Sequence, residues 1–126
     1  MNDDWGRVWS TLRSNLAAQP LCKQHPAYPC VATLARRQTN DILAIDENAI
    51  TVRSHLTGKS DRIAASVFRR WWRHLKARKV ASLQPGEPGN PDADRSRLVG
   101  AILVRCLPAN VDQDPGNANL IRLVKP

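Results

Sequence analysis

The chain has 126 residues, 42% of them hydrophobic and 24% charged, and a formal charge of +8. That length is enough to bury one core without cross-links, and that composition excludes a disordered or collagen-like polymer. The longest apolar run, residues 98–104, is too short to cross a bilayer as a helix.

With Asn2, Asp3 and Asp4 in place of a basic, apolar leader, the expectation is a cytoplasmic protein forming a single domain over 1–126. Cys22, Cys30 and Cys106 are odd in number, so they read as reduced thiols and not as a disulfide framework.

The first element is a helix over residues 4–18, with Trp5, Val8, Trp9, Leu12 and Leu16 on one face. Asp3 or Asp4 would cap it and Pro20 would end it. Pro20, Pro26 and Pro29 make residues 19–30 a loop. Short apolar stretches at 31–36, 41–46 and 49–55 predict two or three antiparallel strands, with Asn48 as the turn residue that tolerates positive φ; the first could equally form a short helix.

A 3.6-residue period returns over 65–79: Phe68, Trp71, Trp72 and Leu75 form an apolar stripe, Ser66 is a cap candidate, and Arg69, Arg70, Arg73, His74 and Lys76 fall on the other side. Three prolines and two glycines make residues 84–94 an exposed, mobile loop. A helix opened by Asp94 or Ser96 and stopped by Pro108 is apolar on most sides, which predicts a central buried helix. Residues 112–119 read as a polar loop, and 120–124 as a returning strand. The fold class is α+β: about three helices on one face of a small antiparallel sheet of two to four strands, winged-helix-like by analogy.

Charge is the strongest functional signal. Between residues 53 and 80 stand nine basic residues, Arg53, Lys59, Arg62, Arg69, Arg70, Arg73, Lys76, Arg78 and Lys79, against one acid, Asp61, while the rest of the chain is neutral. Like charges gathered this way cost stability unless a polyanion neutralises them. All nine are therefore candidate nucleic-acid contacts, the helix supplying most of them and the 53–62 hairpin and turn extending the footprint.

Other chemistries find less support. Thr57-Gly58-Lys59-Ser60 ends like a nucleotide-binding phosphate loop, but the glycine that motif needs at position 53 is Arg53. As a turn, its amides and Lys59 could hold one backbone phosphate. Cys22, His25 and Cys30 are spaced closely enough to converge on zinc, with a fourth ligand needed from His55, His74 or Cys106; idle thiols are the default, so no metal is expected.

Pro91-Asp92 opens a nuclease-like pattern whose carboxylate partners are missing downstream. The four tryptophans lie on apolar stripes and read as core, with one of Trp71 and Trp72 reaching the rim as a base stacker. The resulting expectation is a non-enzymatic module without cofactor that binds nucleic acid, DNA first. The alternatives are an interaction or accessory subunit for an acidic protein, and a small zinc protein or enzyme with a dispersed site.

Overall fold

A computed structural model describes residues 4–125, so Asn2 and Asp3 lie outside the described residues. The first helix, α1 (Trp5–Ala17), buries Val8, Trp9, Leu12 and Leu16, as its periodicity predicts. Asp4 stands at the cap position without capping. Its carboxylate accepts instead from Trp72 Nε1 and Lys76 Nζ, both at 3.1 Å, so it joins two helices where the sequence suggested a local role.

Beyond the proline-rich segment run β1 (Cys30–Ala32), β2 (Thr39–Ile45), β3 (Ala49–Ser54) and β4 (Ser60–Ala64), antiparallel neighbours in chain order. Residues alternate between two faces along each strand. Ile42, Ile50, Val52 and Ile63 line the core face and are buried. Asp41 and Arg53, opposite each other in register, point the other way. Between β2 and β3 the turn is made by Asp46, whose Oδ1 accepts from the amides of Asn48 (2.7 Å) and Ala49 (2.8 Å). Asn48 itself keeps a negative φ, contrary to expectation: among the described residues, the non-glycine ones with positive φ are Arg37, Lys79 and Arg95.

Helix α2 (Ala65–Arg78) follows β4 directly. Ser66 lies within the helix and caps nothing; Ala64 holds the cap position in an extended conformation. Lys79, left-handed at φ 70°, ends the helix by donating its amide to Leu75 O. A second antiparallel sheet comprises β5 (Val80–Ser82), β6 (Val111–Gln113) and β7 (Leu120–Leu123) in the order β5-β7-β6. The molecule thus is α+β with two small sheets.

Helix α3 (Ser96–Cys106) is buried along most of its length, as its sequence predicts. Arg95 precedes it in a left-handed conformation, and Ser96 donates its hydroxyl to Leu83 O (2.8 Å), so neither Asp94 nor Ser96 caps. Gly100 lets α3 pack closely on Leu83: a Cβ there would run into the buried Leu83 side chain, which would have to shift.

One apolar cluster joins α1, both sheets, α2 and α3. Trp71 and Trp72 are both fully buried in it, so neither reaches the rim. Burial of side chains this large stabilises by roughly 2–3 kcal/mol each and holds α2 in a single rotational setting. The 84–94 segment is exposed at 85–88 and at 93–94 but tethered: Ser82 N donates to Gly89 O (3.0 Å) and Asn90 Nδ2 to Ser82 O (2.9 Å). No described helix is long and apolar enough to cross a membrane.

Candidate nucleic-acid interface and a buried polar cluster

By burying Val67, Phe68, Trp71, Trp72 and Leu75, α2 turns its remaining surface to solvent. Arg70, Arg73, Lys76 and Arg78 are exposed on it, followed by exposed Lys79; Arg69 is half-buried. Acidic residues from elsewhere in the chain meet this face. Arg70 pairs with Asp92, and Lys76 pairs with Asp4 while lying 6.0 Å over the Trp72 ring. Both are surface pairs, with the Arg70 and Lys76 side chains 56% and 41% exposed. Pairs of this kind contribute about 0–1 kcal/mol and yield readily to a competing anion.

The hairpin residues do not extend this surface as a unit. Lys59 is exposed in the turn between β3 and β4, and Arg62 is exposed with its charge felt by Asp46. The turn cannot cradle a phosphate through its backbone. Leu56 and Thr57 amides donate to Ser54 Oγ (3.2 and 3.4 Å), Gly58 N to Ser54 O (2.8 Å) and Lys59 N to Thr57 Oγ1 (3.2 Å), so the amides are spent within it.

Arg53 departs from the expected footprint. It lies on the sheet face away from the core, where its Nε and Nη2 donate to Asp41 Oδ2 at 3.1 and 2.9 Å. Its guanidinium sits 5.6 Å from the Tyr28 ring. This arginine is an internal counterion.

Asp41 anchors a cluster that the sequence shows only in part. Cys30, Asp41, Arg53 and Ser60 stand in one row across the sheet, on its outer face. The proline-rich segment folds back through a Leu21–Pro29 bridge, with Cys22 N donating to Tyr28 O (2.9 Å), and lays Cys22 and His25 over that face. His55, just past β3, completes the group.

Ligating atoms of Cys22, His25, Asp41 and His55 all lie within 4.8 Å of one another. His55 Nε2 is 2.7 Å from Asp41 Oδ1, 3.5 Å from Cys22 Sγ and 3.4 Å from His25 Nδ1, and His25 Nδ1 is 2.9 Å from Asp41 Oδ2.

Burial alone would raise the Asp41 carboxyl, but hydrogen bonds from His55, Arg53 and His25 outweigh it and hold the group at about 2. Burial, and then the neighbouring Cys22 and Asp41, push the Cys30 thiol up to about 11. Of the three candidate fourth ligands, His55 is the one that joins Cys22 and His25. His74 is on α2, and Cys106 is buried in the core, its thiol pushed up by burial to about 12.

Cys30 sits against Cys22 without entering the converging four. Asp41 was invisible to local reading because it is the polar residue preceding an apolar run; only a known strand register would have set it opposite Arg53. Compared with protein-family models, curated proteins and solved structures, the chain gives no match.

Proposed function

We propose that this chain is a non-enzymatic module that binds nucleic acid, DNA first, through the outer face of α2. The observation that carries this reading is the orientation of that helix: its aromatic stripe is buried, and Arg70, Arg73, Lys76, Arg78 and Lys79 face solvent over about three turns. Intramolecular pairing does not exhaust the charge, because 19 basic residues face 11 acidic ones in the whole chain.

A phosphate backbone would displace Asp92 and Asp4 from Arg70 and Lys76 at small cost and release its own counterions. Arginine's planar fork suits bidentate contact with phosphate or a guanine edge. Lys59, exposed at the hairpin turn, and Arg62, exposed on β4, are the cations of the 53–62 segment left for a wing-like contact beside the helix. The cytoplasm suits this reading, since its reducing conditions keep Cys22, Cys30 and Cys106 as thiols.

The test is a mobility-shift titration on double- and single-stranded DNA and RNA at several salt concentrations, comparing the native chain with Arg70→Ala/Arg73→Ala/Arg78→Ala. Affinity should fall for every sequence, with the salt slope shrinking by about one unit per lost contact. Unchanged affinity and slope in the triple variant, or no binding by the native chain, would overturn the reading.

A further inference from the structure

The contacts around His55 Nε2 contain a conflict that hydrogen bonding does not resolve. An imidazole nitrogen offers either one proton or one lone pair. His55 Nε2 nevertheless faces three groups, Asp41 Oδ1, Cys22 Sγ and His25 Nδ1, at 2.7, 3.5 and 3.4 Å. If His25 Nδ1 and His55 Nε2 each donate to their own oxygen of Asp41, no proton is left for the 3.4 Å contact between them or for an acceptor role of His55 toward the Cys22 thiol; if either is deprotonated, it turns a lone pair on a buried carboxylate. Neither arrangement satisfies all four side chains, whereas a cation at their common centre does.

We propose that Cys22, His25, Asp41 and His55 bind one zinc ion, with Arg53 orienting the aspartate and the metal fastening the proline-rich segment to the outer face of the first sheet. The donor set suits zinc: one sulfur, two imidazole nitrogens and one carboxylate oxygen are its usual ligands, and hard cations such as Ca²⁺ or Mg²⁺ take oxygen almost exclusively. Spacing at two ligand pairs agrees as well. With Zn–N near 2.0–2.1 Å and Zn–S near 2.3 Å, tetrahedral geometry puts nitrogen about 3.4 Å from nitrogen and about 3.5 Å from sulfur. The His25–His55 and Cys22–His55 separations, 3.4 and 3.5 Å, have these values. The two carboxylate distances, 2.7 and 2.9 Å, are shorter and would open by about half an ångström on binding.

A thiolate and a carboxylate neutralise the ion's charge, and Arg53 then occupies the remaining lone pairs of Asp41 Oδ2. Four protein ligands leave no open position, which marks the site as structural. Its ligands come from the loop after α1, from β2 and from the turn that follows β3, so the ion would cross-link segments distant in sequence. His25, its side chain 43% exposed, is the side from which metal enters.

The inference is independent of nucleic-acid binding and is tested on the untagged full chain by elemental analysis and by Co²⁺ titration. The expected results are about one zinc per chain and, with cobalt, tetrahedral d–d bands plus a single thiolate charge-transfer band. Cys22→Ser should lose the charge-transfer band and Cys30→Ser should keep it. Arg53→Gln should weaken metal binding by about ten- to a hundredfold. Wild-type protein that carries no zinc and gives no cobalt spectrum would overturn the proposal, whatever the variants do. So would a charge-transfer band that survives in Cys22→Ser.

Discussion

Carboxylates meet basic groups in two regions of this molecule, on opposite terms. Under the proline-rich segment, Asp41 is fully buried and is contacted by Arg53, His25 and His55 at once. On the solvent side of α2, Asp92 and Asp4 each hold the end of one long, half-exposed side chain. The charges are similar, but water decides what they do. Desolvation makes the Asp41 contacts expensive to leave unmade and so fixes their geometry. High dielectric and side-chain entropy make the α2 pairs exchangeable. The first region therefore reads as a place where structure is held, and the second as one where a partner can be exchanged.

Removing Asp41 should give the largest effect. In Asp41→Ala, studied with chelator so that no metal contributes, the guanidinium and both imidazoles lose their buried acceptor, and a stability loss of about 3 kcal/mol is expected from urea unfolding. A loss below about 1 kcal/mol would place this cluster in the same class as the α2 surface pairs.

Asp4 is intermediate. Partial burial would raise its carboxyl, yet the bonds from Trp72 and Lys76 carry it below the ordinary aspartate value of 3.8. A carboxyl lowered on folding stabilises fully above the unfolded value and loses that contribution as pH falls through the folded one. Asp4→Asn should accordingly cost about 1 kcal/mol at neutral pH and narrow its gap to the native chain once pH drops below 3.8, in unfolding midpoints taken across that range.

The smallest effect belongs to the Arg70–Asp92 pair. A double-mutant cycle there should return a coupling of about 0.2–1 kcal/mol that fades with added salt. If Asp92→Ala tightens binding of a DNA duplex while leaving stability unchanged, the contrast between the two regions is sharpened. A coupling as large as that of a buried pair would erase it.

The helices were legible because their signal is local: α1, α2 and α3 lie close to the bounds that periodicity suggests, and the apolar stripe of α2 is buried. Strands were legible only where they are long or apolar. Strand β4 interleaves Ser60, Asp61 and Arg62 and reads as a turn, while β5 and β6 have three residues each, too few to show alternation. Two caps failed for a common reason. Asp4 at the cap position and Ser96 one residue past it have the right chemistry, but Trp72 and Leu83 O, brought near by packing, take their side chains. At the polar cluster, spacing singled out Cys22, His25 and Cys30 and left His55 as one candidate of three, while Asp41 went unseen.

Helical period and clustered cations suffice to foretell which side of α2 dries and which stays charged, because both are properties of neighbours along the chain. The meeting of Cys22 with His55, 33 residues apart, and of Asp41 with His55, 14 apart, required strand register and a folded-back loop. Those depend on which backbone groups pair across space, and the order of residues within any short window does not encode that choice.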